Sequence, residues 1–178
     1  MTIKKIIIAP DSFLKQISKP VESVTKDIQA LMDDMLDTMY DAPGIGLAAV
    51  QIGTPLRVIV MDISWRSEEG TREPMYFINP KIISKSEDMA TYEEGCLSVP
   101  NQYAEIDRPE NCKVEYLDYN GKKAKLNAKG LLATCIQHEI DHLEGVLFID
   151  YLSRLKKNMI VKKLVKSRKT STKERIVA

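Results

Sequence analysis

The sequence predicts an α+β fold in which antiparallel sheets pack around a central helix, with one helix near the N-terminus and another at the C-terminus. Apolar residues recur at helical spacing over residues 21–40, which predicts the N-terminal helix. Residues 56–63 are rich in β-branched side chains and predict a strand. Residues 113–127 alternate around Asn120-Gly121, which predicts a hairpin. Because these elements do not repeat in βαβ order, the pattern favours α+β over a parallel sheet.

The remaining elements follow from local signals. Residues 76–83 predict a strand that is interrupted at Asn79-Pro80, and the polar stretch 64–74 predicts a loop. Residues 130–143 are apolar at helical spacing and predict the central helix, with Gly145 placed to cap it. Residues 152–165 predict the C-terminal helix.

The composition is that of an ordinary globular protein. The chain has 178 residues, 44% of them hydrophobic, and we expect a single domain over residues 1–178. No stretch approaches the ~20 apolar residues of a membrane span, and the run Ile6-Ile7-Ile8 is too short for a signal peptide. Three cysteines favour a reducing compartment over a disulfide framework. We therefore expect a cytoplasmic monomer without membrane contacts.

Charge is divided unevenly along the chain. Ten of the 26 Lys and Arg residues, but only one of the 25 Asp and Glu residues, lie from Tyr151 onward, although the net charge is only +1. A basic C-terminal helix and tail on an acidic body suggests an anionic partner. The alternative is a merely solvated helix that frays at the end of the chain.

Both histidines of the chain occur in one motif, His138-Glu139-Ile140-Asp141-His142. Residues four apart on a helix are neighbours, so this H-E-x-x-H spacing allows His138 and His142 to bind one metal ion. Glu139 is rotated off that line and can accept a proton from a nearby water molecule without being a ligand. This division of roles is typical of a metal-dependent hydrolase.

The same motif also arises by chance on surface helices, where the histidines are only solvated. Here the flanking residues argue against that alternative, because a helix with apolar flanks faces a core. Two buried histidines without a partner would be costly, so a metal ion is the simplest explanation. The apolar flanking residues are Leu131, Leu132, Cys135, Ile136, Leu143 and Val146.

A catalytic site of this kind needs a third protein ligand and one open position. The metzincin pattern is excluded because Phe148 stands where that pattern has its third histidine. The acids downstream of the motif, Glu144, Asp150 and Glu174, do not lie in a persuasive context for a ligand. The third ligand is therefore expected upstream.

The three cysteines are the upstream candidates. Cys112 begins a strand-like run and is predicted to lie in the core. Cys135 lies two helical turns, about 10 Å, from His142, and is predicted to line a pocket wall as a small apolar side chain. Cys96 lies in an irregular segment, with a glycine before it and a proline soon after, that can carry a thiolate across to the helix. We predict Cys96 as the third ligand.

Residues 44–51, with the sequence G-I-G-L-A-A-V-Q, form a third informative segment. Two glycines among small apolar residues indicate a close approach of the backbone to a ligand, followed by a strand. A phosphate-binding loop is not favoured, because the segment lacks the remaining glycine and a lysine. Gln51 ends a buried-looking run, so its amide is either tied to the backbone or directed at a substrate oxygen.

Together these segments resemble the peptide deformylase family. Members carry G-x-G-L-A-A-x-Q, E-G-C-L-S and Q-H-E-x-D-H-L-x-G in this order, and here these motifs occupy residues 44–51, 94–98 and 137–145. The resemblance extends over roughly residues 6–152. It implies an α+β fold around a metal-binding helix. It also implies removal of the N-formyl group from the N-terminal methionine of newly made proteins, with release of formate, and the ribosome as the anionic partner.

The resemblance further implies roles for individual residues. Cys96, His138 and His142 would hold one divalent metal ion, and Glu139 would be the acid/base residue. The Gln51 side chain and the Leu97 backbone N–H would flank the developing oxyanion. The substrate is expected to contact Glu94 and Gly95 of the second motif, and its methionine side chain is expected between Ile45, Gly46, Leu131 and Cys135.

The identity of the ion and two other functions stay open at this point. The ligand set alone suggests Zn²⁺, whereas the resemblance implies Fe²⁺, with Zn²⁺, Ni²⁺ or Co²⁺ able to replace it. A peptidase that cuts internal peptide bonds would share the helix but would leave the other two motifs unexplained. A structural zinc site would need a fourth protein ligand, and only three candidates are found.

Overall fold

The computed structural model describes residues 2–66 and 70–177, with side chains through residue 168. A five-stranded antiparallel sheet is built from β1 (Gly46–Ala48), β2 (Val58–Met61), β3 (Met75–Lys85), β6 (Asn111–Leu117) and β7 (Lys123–Lys129), in that spatial order. The remaining strands, β4 (Met89–Cys96) and β5 (Val99–Pro109), pair with each other in a separate antiparallel sheet. The α-helices are α1 (Lys26–Asp41), α2 (Gly130–Leu143) and α3 (Arg154–Val177).

The five-stranded sheet is covered by a helix on each face. Alternate residues of a strand point to opposite faces, and β2 is buried along its whole length. Its residues Val58 and Val60 pack in a cluster with three methionines of α1, whereas Ile59 and Met61 pack in a cluster with α2. The fully buried methionines of α1 are Met32, Met35 and Met39. Helix α2 thus lies between the five-stranded sheet and the β4–β5 sheet, which confirms the predicted α+β fold with antiparallel sheets around a central helix.

The predicted start of the first helix at residue 21 is wrong. Helix α1 begins at Lys26, because the Thr25 hydroxyl accepts the Ile28 N–H as an N-cap. Val21 instead lies in a loop that Asn79 ties to β3, with the Asn79 amide bonded to both the N–H and the C=O of Val21. Asn79 has a positive φ of 51°, and the register of β3 shifts between Ile78 and Lys81, as the Asn79-Pro80 interruption predicted.

Other elements agree with the sequence to within a few residues. The predicted hairpin is β6–β7, which turns at Gly121, and the predicted central helix has the bounds of α2. Gly145 follows the C-cap of α2 with a φ of 71° and donates its N–H to the His142 carbonyl, as expected for a helix end. The segment after β1 is not a longer strand but a 3-10 helix, Ala49–Ile52, that contains Gln51.

The β4–β5 hairpin was not predicted. Most of its residues are exposed or half-buried, and over most of either strand the apolar residues do not alternate with polar ones as they do in a typical strand sequence. Cys96, which was predicted to lie in an irregular segment, is the last residue of β4, at a shift in register between Gly95 and Cys96. This hairpin carries both Cys96 and the segment Leu97-Ser98 to the side of α2.

The C-terminal segment begins with a 3-10 helix, Phe148–Tyr151, and continues as α3. Helix α3 is longer than the predicted helix over residues 152–165. Its buried residue Leu164, with Ile160 and Val161, packs in a cluster with Val99 and Ile106 of β5. Within the described ranges, no helix combines the length and apolar composition needed to cross a membrane.

Candidate metal centre

Helix α2 places three functional side chains against the β4–β5 hairpin. Ten of its fourteen residues are buried, including His138, Glu139 and His142. The sequence explains this burial, because α2 has apolar residues on its sheet-facing side, such as Ile136 and Ile140, and carries the histidine motif among them. A helix enclosed on two sides holds its side chains rigidly, which suits a metal site.

The three predicted ligands are brought together. One donor atom from each of Cys96, His138 and His142 lies within 4.8 Å of the others. The Cys96 Sγ and the His142 Nε2 are 3.2 Å apart. One ion with bond lengths of about 2.0–2.3 Å can bridge donors at this spacing. In the described part of the chain three protein donors converge, which matches the three protein ligands of catalytic sites and is one fewer than structural sites have.

The protonation of His142 suits metal binding. Burial lowers the pKa of His142 well below its usual value, which keeps the imidazole in the neutral form that binds metals. The His142 Nδ1 and the Glu139 Oε2 are buried without a hydrogen-bond partner among the described residues. Buried polar atoms are normally paired, so the unpaired Glu139 oxygen is consistent with a site that takes up a water molecule. The unpaired Nδ1 of His142 is not the ring nitrogen that faces Cys96 and is no evidence for the ion.

His138 is held by a buried ion pair. Its Nδ1 lies 2.8 Å from the Glu94 Oε2, and Arg108 donates to both oxygens of the same carboxylate. Burial alone would raise the pKa of Glu94, but the hydrogen bonds from His138 and Arg108 outweigh it and hold the pKa below its usual value. The ionised Glu94 therefore accepts the Nδ1 proton, which leaves the Nε2 of His138 free for a metal.

Glu139 is positioned by the first motif. A Cβ atom built on Gly46 would lie 2.4 Å from the Glu139 Oε1, so only glycine leaves room for this carboxylate. The pKa of Glu139 is raised to about 7, mainly by burial; the charges of His138 and Arg108 oppose the rise and that of Glu94 adds to it. A carboxylate with this pKa can both accept and return a proton near neutral pH.

Gln51 takes the first of the two alternatives that the sequence left open. Its Oε1 accepts the Ala48 N–H at 2.8 Å, which ties the amide to the backbone. Its Nε2 lies 3.6 Å from the Sγ of Cys96, a candidate metal donor, and 3.0 Å from the Ser98 Oγ. Leu97 follows Cys96 in the turn between β4 and β5, and its side chain packs against Gly44.

A cavity of about 690 Å³ opens beside these side chains. All of the predicted site residues except His142 line it. Cys135 lies in its wall and not among the metal donors, and burial raises the pKa of its thiol well above the usual value, so it stays a neutral, small side chain. Leu131 is 44% exposed at the mouth of the cavity. The lining residues predicted to contact substrate are Ile45, Gly46, Glu94, Gly95, Leu131 and Cys135.

Sequence reasoning missed Arg108 and Ser98. Arg108 is 4% exposed and lies on β5, and Ser98, which bonds to Gln51, is fully buried. Ser98 belongs to the E-G-C-L-S motif, so that motif could have indicated it. Arg108 lies between Asp107 and Pro109 and belongs to no recognisable motif. Only the β4–β5 hairpin, which was not predicted, brings it to Glu94.

This arrangement defines a metal-dependent hydrolase, with two histidines and a cysteine around an open metal position and a carboxylate beside it. A sequence profile of the family described as polypeptide deformylase matches residues 3–158. The chain belongs to this family, whose members remove the N-formyl group from the N-terminal methionine of newly made proteins.

Individual relatives agree with the family profile. The chain is 67% identical over 166 residues to the peptide deformylase of Pelagibacter ubique, which covers 93% of this chain and 95% of that protein. It is 57% identical over 170 residues to the peptide deformylase of Rhizobium meliloti, and the match covers 96% of this chain and 97% of that protein. A crystal structure of the Ehrlichia chaffeensis peptide deformylase matches with a TM-score of 0.89 at 41% identity, covering 96% of this chain and 99% of that one.

The ligand set can be tested by removing each cysteine in turn. Cys96→Ala removes one of the three converging donors, so we expect loss of bound metal or a much weaker affinity. Cys112→Ala and Cys135→Ala are matched controls that should keep the metal, because both thiols lie outside the donor group. Metal content after gel filtration is the measurement. A Cys96→Ala protein with full metal occupancy would contradict the assignment.

Proposed function

We propose that Cys96, His138 and His142 bind one divalent cation and that Glu139 transfers the proton during hydrolysis of the formyl amide. The observation that carries this proposal is the convergence of three donors within 4.8 Å beside a cavity that the Glu139 carboxylate also lines. A cation held there would lower the pKa of water and stabilise negative charge on a carbonyl oxygen.

The side chains of the chain itself have separate tasks in the reaction. Glu139 accepts the proton of the attacking water, whose oxygen forms a bond to the formyl carbon. The Gln51 Nε2 and the Leu97 backbone N–H donate hydrogen bonds to the oxygen that becomes negative. Glu139 then delivers the proton to the amide nitrogen as the carbon–nitrogen bond breaks. The products are formate and a free amino terminus.

Discrimination between acyl groups is part of this proposal. Formyl carries only hydrogen on its carbonyl carbon, so a site that fits closely around that carbon admits it and excludes acetyl. Gly46 leaves room for the Glu139 side chain in the cavity wall. We propose that the methionine side chain occupies the cavity wall formed by Ile45, Leu131 and Cys135. For Glu94, whose carboxylate is engaged by Arg108 and His138, a substrate contact would be made through its backbone.

Glu139→Ala tests the proton-transfer role. We expect hydrolysis of a formyl-Met peptide to fall by about 10²–10⁴-fold or more while the metal content is retained, because Glu139 is not a ligand. In the wild-type enzyme, kcat/KM should rise with pH as Glu139 loses its proton. A nearby cation lowers a carboxyl pKa, so this rise should be centred at or below the value of about 7 found for Glu139 without an ion.

Glu144→Ala is the matched control for that experiment. Glu144 caps the same helix but pairs with Arg57 at the surface, so its loss should leave activity and metal content unchanged. The same assay on acetyl-Met and unmodified peptides separates a deformylase from a general peptidase. Loss of metal in Glu139→Ala, or equal cleavage of the acetylated peptide, would contradict the proposal.

We propose Fe²⁺ as the working ion, as the family resemblance implies, although the same donors also accept Zn²⁺, Ni²⁺ and Co²⁺. Ferrous iron and an adjacent thiolate are both open to oxidation, so activity of the iron form should decay in air. Replacement by Ni²⁺ or Co²⁺ should give a durable active enzyme. The measurement is the activity of each metal form prepared without oxygen and then exposed to air. A zinc form that matches the anaerobic iron form in rate would contradict this choice.

We also propose that the chain is one domain that works as a cytoplasmic monomer, with its basic C-terminal helix directed to the ribosome. The packing of α3 against β5 supports the single domain. The excess of ten basic residues over one acid from Tyr151 onward supports an RNA-rich partner. The side chains of residues 169–178, which carry part of this charge, lie outside the described residues.

The ribosome hypothesis can be tested by neutralising charge without disturbing packing. Leu164 is buried, so a truncation at residue 162 would remove core contacts. The double variant Lys162→Gln/Lys163→Gln leaves Leu164 in place and should weaken cosedimentation with ribosomes, most clearly as salt is lowered. The control Lys122→Gln/Lys123→Gln removes the same charge at another site. Equal binding by both variants would mean that α3 is not the contact.

A further inference from the structure

A continuous row of polar contacts leads from His138 to the surface at the start of the C-terminal segment. His138 bonds to Glu94, and Glu94 is held by Arg108 through two hydrogen bonds. The Arg108 Nη1 also donates to the Asp141 Oδ2 at 2.8 Å. The Tyr151 hydroxyl donates to that same oxygen, again at 2.8 Å. Tyr151 is therefore the outermost member of a chain of contacts that ends on a candidate metal ligand.

The Tyr151 ring makes a second contact with this chain. It lies over the Arg108 guanidinium, with the central carbon 4.9 Å from the ring centroid. Tyr151 is 52% exposed, whereas Arg108 is only 4% exposed, so the ring lies between the cation and solvent on that side. Contacts between a cation and an aromatic face are stronger when water is excluded. The ring thus covers the ion pair that its own hydroxyl completes.

Arg108 needs this support because it serves two elements. Its guanidinium joins Glu94 on β4 to Asp141 on α2, and it carries one positive charge between two carboxylates. Asp141 is 22% exposed at its side chain, so it is the member that water can most easily reach. If water displaced Arg108 from Asp141, the guanidinium could tilt and carry Glu94 away from the His138 ring.

We infer that Tyr151 is a positioning residue for the metal centre. It fixes Arg108 between Asp141 and Glu94, and Glu94 in turn fixes the orientation of the His138 ring. Tyr151 would strengthen metal binding without touching the metal or the substrate. This inference rests on the proposed function, in which His138 is a metal ligand.

The expected effects are graded along the chain of contacts. Loss of a direct partner of a metal-binding histidine typically weakens metal affinity by about 10–100-fold. Through its hydroxyl, Tyr151 lies three contacts beyond that partner, by way of Arg108 and Asp141. Tyr151→Phe, which removes only the hydroxyl, should therefore weaken affinity by less, roughly 3–10-fold on the same scale. Tyr151→Leu, which also removes the ring from Arg108, should have a larger effect.

The full-length protein loaded with Co²⁺ allows the test. The dissociation constant of the ion is measured by chelator competition, and the visible spectrum of bound Co²⁺ reports its coordination geometry. Leu155→Ala is the control, because Leu155 is 72% exposed one turn further on. It should change neither quantity. In an Asp141→Asn background, Tyr151→Phe should have little further effect, because its hydroxyl acts through that carboxylate.

The outcomes separate this inference from the proposed function. Unchanged Co²⁺ affinity and spectrum in both Tyr151 variants would overturn the inference, even if their melting temperatures fell, since that result describes a purely structural contact. If Cys96→Ala loses its metal in the same assay, the proposed ligand set still stands. If Cys96→Ala retains Co²⁺ with wild-type affinity, the proposed ligand set fails, and the inference fails with it.

Discussion

The buried pair between Arg108 and Glu94 is the interaction on which the site depends. It joins the two strands of the β4–β5 hairpin, and through Asp141 and His138 it attaches that hairpin to α2. Burying one cation between two carboxylates is costly unless all partners are hydrogen-bonded, and here each is. Since Cys96 ends one strand of the hairpin and His142 belongs to the helix, the same pair brings the metal donors together from distant parts of the chain.

The second requirement of the site is glycine at two positions of the first motif, where no side chain fits. Gly46 lies against the Glu139 carboxylate and Gly44 against the Leu97 side chain, and a Cβ atom at either position would lie within 3 Å of its neighbour. The first motif therefore forms a wall that fits around the Glu139 carboxylate and the turn after Cys96.

Burial decides the protonation of three ionisable groups in the site. It keeps His142 neutral, raises the pKa of Glu139 to about 7 and keeps the Cys135 thiol protonated. In Glu94 and His138 hydrogen bonds outweigh burial: those from His138 and Arg108 lower the pKa of Glu94, and those with Cys96 and Glu94 raise the pKa of His138. The two glutamates thus differ in protonation. Glu94 is a fixed anion that orients the His138 ring, whereas Glu139 can exchange a proton near neutral pH.

The sequence by itself determined the central helix, the β6–β7 hairpin, the ligand candidates Cys96, His138 and His142, and the family. These depend on local spacing, turn residues and short motifs, all of which can be recognised in the sequence alone. The tertiary structure alone decided that β4 and β5 pair and that Tyr151, Asp141, Arg108 and Glu94 form the row of contacts that ends at His138. The contact between Glu94 and His138 joins residues 44 positions apart, which no local pattern indicates. The two strands are neighbours in the chain, but over most of either strand the apolar residues do not alternate with polar ones, so the hairpin could not be predicted.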